Sequence, residues 1–145
     1  MSAELIFSIC SLPVIPGWLL LIFLPRWKWT LGLISSALIP FVLAITYLLF
    51  LVYSLSNASE GGGFGSLAEL SILFSDPYAL LVGWIHYLAF DLFIGAWEVQ
   101  DAQRNGVAHW MVVPCLLLTF IAGPVGLLLY LILRTARTRQ FLLYT

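Results

Sequence analysis

The stretch "GWIHYLAFDLFIGAWEVQD" (residues 83–101) decides the fold. As far as Trp97 it is apolar apart from His86 and Asp91, and it ends in Glu98 and Asp101. With the preceding "PYALLV" it forms an apolar run over 77–97. About 20 predominantly apolar residues are enough to carry a helix across the roughly 30 Å of hydrocarbon in a bilayer. The run therefore predicts a membrane-spanning helix with a carboxyl group inside it. An aspartate at the centre of such a helix costs about 2.5–3.5 kcal/mol on insertion scales, so it is expected to face the bundle interior and to mark a functional site.

Outward from this stretch, three more segments have the required length: 5–24, 31–53 and 110–133. Of the 145 residues, 62% are hydrophobic and 9% charged, with a mean hydropathy of +1.04. About a quarter of an average soluble domain is charged, so the composition predicts an all-α polytopic membrane protein. The expected architecture is one domain over 1–145, a four-transmembrane-helix bundle. The net charge of −1 offers no basic field and excludes nucleic acid as a partner. Membrane lipid is the partner that the composition demands.

Prolines 13, 16, 40, 114 and 124 fall inside the apolar runs. Neighbouring helices in a membrane bundle can satisfy the carbonyls they free. "SDP" before the third run places Asp76 as a cap and Pro77 in the first helical turn. "SLSNASEGGGFGS" (54–66) reads as a flexible exposed loop, and the "LAELSILF" after it, too short to span, as an interfacial turn or short helix. Trp27, Trp29, Trp97, Trp110 and Tyr53 lie at predicted helix ends, where an aromatic belt belongs. With four spans, Arg26, Lys28 and Arg104 face one side and Arg134, Arg137 and Arg139 the other, so the positive-inside count is three against three and sets no orientation. The opening "MSAELIFSIC" carries Glu4 where a secretory signal has basic residues. The first run is therefore expected to be retained, in a bacterial inner membrane or a photosynthetic membrane.

At about 100° per residue, Trp84, Tyr87, Gly95 and Glu98 lie within roughly 40° of the direction of Asp91 and form one stripe with it. Tyr87 and Asp91 have the i,i+4 spacing of touching side chains. His86 points about 140° away, so it shares a site with Asp91 only if that site wraps the helix or a neighbouring helix contributes to it. The loop "EVQDAQRNGVAH" adds Asp101, Arg104 and His109, and Arg26 or Lys28 are expected to neutralise Glu98 or Asp101. In "TFIAGPVG", the pairs Thr119/Gly123 and Ala122/Gly126 have the small-xxx-small spacing of close helix contact. Pro124 between them predicts a kink that packs tightly or lines a pocket. Cys10 and Cys115 read as small buried residues. No metal-ligand array, phosphate loop, GxSxG or HExxH occurs. The sequence implies no cofactor and no metal.

The pattern "HYLAFDLFIG", a "GV" followed by His109, "PCLLLTF", "GPVGLLLY" and the closing Arg134 resembles the membrane family of the plant abscisic-acid-deficient-4 protein, also called neoxanthin-synthase-like. The resemblance covers the C-terminal half best. It implies four membrane helices and, for the plant member, a part in converting violaxanthin to neoxanthin. Opening an epoxide to an allenic alcohol is an isomerisation, which needs a proton donor and a base but no redox cofactor. On that implication Asp91 is the acid and His86 the base. Tyr87, Trp84, Gly95, Glu98, Asp101, Arg104, His109 and Pro124 are then candidates for binding a carotenoid-like isoprenoid. Two alternatives are a non-catalytic protein that binds pigment or lipid or assists a membrane complex, and a proton-coupled transporter acting as a homo-oligomer.

Overall fold

The computed structural model describes residues 2–30, 33–34, 38–57 and 60–139. Of the sequence expectations, positions 31, 32 and 35–37 of the second apolar run and 58–59 of the Gly-rich loop lie outside the described residues. Seven helices follow one another in what is described: α1 Ala3–Ser11, α2 Val14–Phe23, α3 Lys28–Thr30, α4 Leu38–Ser56, α5 Leu67–Leu73, α6 Pro77–Arg104 and α7 His109–Thr138. The chain is all-helical among the described residues, with four helical stretches long and apolar enough to cross a membrane: Ala3–Phe23, Leu38–Ser56, Pro77–Arg104 and His109–Thr138.

The helix ends follow the local chemistry. Asp76 accepts hydrogen bonds from the backbone N–H groups of Tyr78 and Ala79, both at 2.9 Å, and Pro77 opens α6. Ser66 caps α5 by accepting from the Glu69 N–H at 3.2 Å. The carboxylate of Glu69 accepts in turn from the Gly65 N–H at 3.1 Å, closing the glycine segment onto the helix. Pro13 stands at the joint between α1 and α2, where its missing N–H breaks the helical ladder without separating the two halves of the span.

α6 is the central element. Ile85, Leu92 and Val99 are fully buried along it, with Val14, Leu21, Ile34 and Leu116 from its neighbours in the same core. Contacts fix the direction of each helix. Phe7 meets Trp84 at 5.3 Å, Gly17 meets Leu92, and the Gln103 amide donates to the Pro25 carbonyl at 3.2 Å. α1 and α2 therefore run parallel to α6. Tyr53 packs on Tyr78 at 5.1 Å and Tyr47 on His86 at 5.9 Å, so α4 runs antiparallel.

α7 does not run straight. Ala122 has φ −149° and ψ 60°, outside the helical region, and the helix folds back there. The Arg137 guanidinium donates to the Met111 sulfur at 2.9 Å, whereas 26 residues of straight helix would separate the two by about 39 Å. The first arm (109–121) runs antiparallel to α6 and brings Phe120 to Tyr87. The second arm (123–138) returns alongside α6, taking Tyr130 and Arg134 to Asp101. The arms are about 20 Å and 24 Å long, each shorter than the hydrocarbon thickness.

The reversal changes the expected placement of charge. Arg134, Arg137 and Arg139 come to the same end of the bundle as Arg26, Lys28 and Arg104, not the opposite one. Two further expectations are corrected. Asp101 is neutralised by Arg134 at 2.8 Å, not by the first loop. Trp97 packs edge-on against Tyr130 at 5.4 Å inside the bundle and does not join the belt. Trp27, Trp29, Trp110 and Tyr53 are exposed at helix ends, as expected.

Candidate functional site

The stripe on α6 is the face that meets α1, α2 and the α7 hairpin. From one end to the other, Trp84 donates its indole N–H to the Ser11 hydroxyl at 3.0 Å, and Tyr87 donates to the Phe120 carbonyl at 2.5 Å. Asp91 lies against Gly123, where an added Cβ would overlap its carboxyl oxygen. Gly95 receives the Trp18 ring, which a Cβ would meet at 2.7 Å. Glu98, with no exposed surface, accepts from the Thr119 hydroxyl at 3.0 Å.

Backbone chemistry explains the Tyr87 contact. The reversal at Ala122 ends the first arm, so the Phe120 carbonyl in its last turn has no helical N–H four residues on, and Pro124 brings none of its own. A free carbonyl at membrane depth costs several kcal/mol unless something donates to it, and the Tyr87 hydroxyl does so. The same hydroxyl neighbours the carboxyl of Asp91. Asp91 sits near the middle of α6, about 15 Å along the helix from Asp101. Its Oδ2 is buried and has no hydrogen-bond partner among the described residues.

We expect Tyr87→Phe to lower stability by about 1–3 kcal/mol, because it leaves the Phe120 carbonyl unsatisfied. Unfolding in mixed micelles by a denaturing detergent measures the loss; an unchanged midpoint would show that the carbonyl finds another donor.

The hairpin also makes a cavity. Because α7 turns back near the level of Tyr87 and Asp91, it fills only half the length of this face of α6. The other half carries a groove of about 680 Å³ between the starts of α1 and α6, lined by Phe7, Phe74, Leu80, Trp84 and Tyr87 among others. Glu4 stands among the lining residues. Trp84 stacks on Tyr87 at 5.3 Å, so one wall is a continuous aromatic surface. Ligand sites typically occupy about 300–1,000 Å³ and are mostly apolar with a few placed polar groups, which describes this groove and its Tyr87 floor.

The other sequence-predicted residues separate from this centre. His86 is exposed on the α4 side of α6, stacked on Phe90 at 4.5 Å and facing Tyr47. The structure does not bring it to Asp91. Glu98 is buried on α6, and so is Asp101, which the sequence placed in the loop after the third run. Asp101 accepts from the Tyr130 hydroxyl at 2.6 Å and from Arg134. Arg104 is exposed in the last turn. His109 places Nε2 2.8 Å from the Ile22 carbonyl and ties α7 to α2. Pro124 is exposed in the first turn of the second arm. Cys10 and Cys115 are buried and unbridged.

Sequence reasoning did not single out Phe7, Phe74, Tyr130 or the partner role of Thr119. Only the last had a local signal, since it opens the small-residue pattern that closes the hairpin.

Neither a curated protein nor a solved structure matches the chain. The sequence model of the family described as ABA DEFICIENT 4-like matches residues 5–130, which runs from within α1 to halfway along the second arm of α7. The chain belongs to the ABA DEFICIENT 4-like family.

Proposed function

We propose that this membrane protein binds a lipophilic, ring-bearing or polyene molecule in the groove above the α7 hairpin. The observation that carries the proposal is the 680 Å³ apolar, aromatic-walled groove whose inner end is the Tyr87 side chain. An isoprenoid of the carotenoid type, which the family resemblance suggests, has the rings to stack on Trp84 and the length to continue into lipid. A polar terminus would be held at Tyr87.

A second reading, an acid–base step on the bound molecule, is favoured by the unpartnered Asp91 Oδ2 directly behind Tyr87. In its protonated form Asp91 can pass a proton through the Tyr87 hydroxyl to a ligand oxygen, and positioned proton transfer typically contributes about 10²–10⁴-fold to rate. His86, on the α4 side, cannot serve the groove as its base. Glu4 is the carboxylate among its lining residues.

Gly83→Leu tests the binding reading. A Cβ at Gly83 already meets the Phe74 ring at 3.2 Å, so a leucine fills the groove. Wild type in lipid nanodiscs should show saturable tryptophan quenching on titration with retinol as a polyene probe. We expect Gly83→Leu to bind at least about tenfold more weakly, a difference of about 1.4 kcal/mol. Equal quenching in both proteins would reject the groove as the site.

A further inference from the structure

We propose that α7 enters and leaves the membrane from a single side, and that this side is cytoplasmic. All six Lys and Arg side chains of the sequence gather at one end of the bundle. Arg26 and Lys28 follow α2, and Arg104 closes α6. Arg134, Arg137 and Arg139 end the returning arm of α7, fixed there by the contacts of Arg134 with Asp101 and of Arg137 with Met111.

The other end holds no Lys or Arg and four of the seven carboxylates: Glu4, Glu60, Glu69 and Asp76. They lie in the first turn of α1, the connection from α4, the first turn of α5 and the cap of α6. A straight α7 would carry three arginines across and leave the count level. The reversal at Ala122 makes it six against none.

Cationic residues in short connections stay on the cytoplasmic side during insertion, where anionic headgroups attract them further. The hairpin then occupies the cytoplasmic half of the membrane with its tip near the midplane. The groove above it opens into the leaflet facing away from the cytoplasm.

Single cysteines read the sidedness directly. In a background with Cys10→Ser and Cys115→Ala, expressed in a bacterial inner membrane, Ala108→Cys, Arg139→Cys and Glu60→Cys are challenged with a membrane-impermeant maleimide. Intact spheroplasts and inverted vesicles present the two sides. We expect Ala108→Cys and Arg139→Cys to label in inverted vesicles and Glu60→Cys in spheroplasts, each at least tenfold more strongly than from the other side. Labelling of Arg139→Cys from the same side as Glu60→Cys would overturn the re-entrant hairpin. Inversion of all three would overturn the orientation. A phosphatase that is active only outside the cytoplasm, fused to the end of the otherwise unaltered chain, reads the same side independently. Its inactivity supports the proposal and its activity overturns it.

Discussion

Replacing Arg134 by methionine will destabilise the folded protein by about 3–5 kcal/mol, the usual result of removing one partner of a buried ion pair. Arg134 is 3% exposed, and its Nε donates to Asp101 Oδ2 at 2.8 Å. The same oxygen accepts from the Tyr130 hydroxyl at 2.6 Å. Without the guanidinium a buried carboxylate keeps one neutral donor and loses its charge partner. The double replacement Asp101→Leu with Arg134→Met should recover most of the loss. Well-packed apolar side chains often match or exceed a buried pair in stability, because the desolvation of both charges disappears with them. Denaturing-detergent titration of the two variants and the wild type decides the matter. A single variant as stable as the wild type would mean that the pair does not hold the returning arm of α7 to α6.

Gly126→Ala should open the hairpin. A Cβ at this position would overlap the backbone nitrogen, the Cα and the hydroxyl of Thr119 on the facing arm. The obstacle is backbone, which cannot rotate aside as a side chain can. The loss should therefore reach or exceed the top of the roughly 1–3 kcal/mol typical of overpacking. A second consequence is specific to the hairpin. The Thr119 hydroxyl is the donor to Glu98, so moving it leaves a fully buried carboxyl without that bond. A short bifunctional thiol reagent should join Met111→Cys to Arg137→Cys within one chain in the Gly126 background and at least about fivefold less in Gly126→Ala, since separated arms move toward the roughly 39 Å of a straight helix. Equal crosslinking would show that the arms tolerate the methyl.

The hairpin connects the two halves of the functional picture. The reversal at Ala122 frees the Phe120 carbonyl, Tyr87 satisfies it, and Asp91 rests on the glycine beside the turn. Because the turn comes halfway along α6, the remaining half of that face is left for the groove. The polar spot and the apolar cavity are consequences of one backbone reversal.

What the sequence determined by itself was everything that depends on local composition and spacing. The apolar lengths announced a helical membrane protein with four stretches fit to cross a bilayer. Asp76 and Pro77 announced the start of α6. The 3.6-residue period gathered Trp84, Tyr87, Asp91, Gly95 and Glu98 on one face, the face that meets α1, α2 and α7. Only the tertiary structure decided which groups meet that face. Hydrophobic length counts residues and is blind to direction, so a 30-residue apolar helix and a hairpin of two short arms give the same signal. Proline between small residues permits either a kink or a reversal. Packing of Gly126 on Thr119 and pairing of Arg134 with Asp101 select the reversal, because only then are the buried carboxyls at 98 and 101 both supplied with donors. That choice moved three arginines to the other end of the bundle and opened the groove, neither of which a reading along the chain could reach.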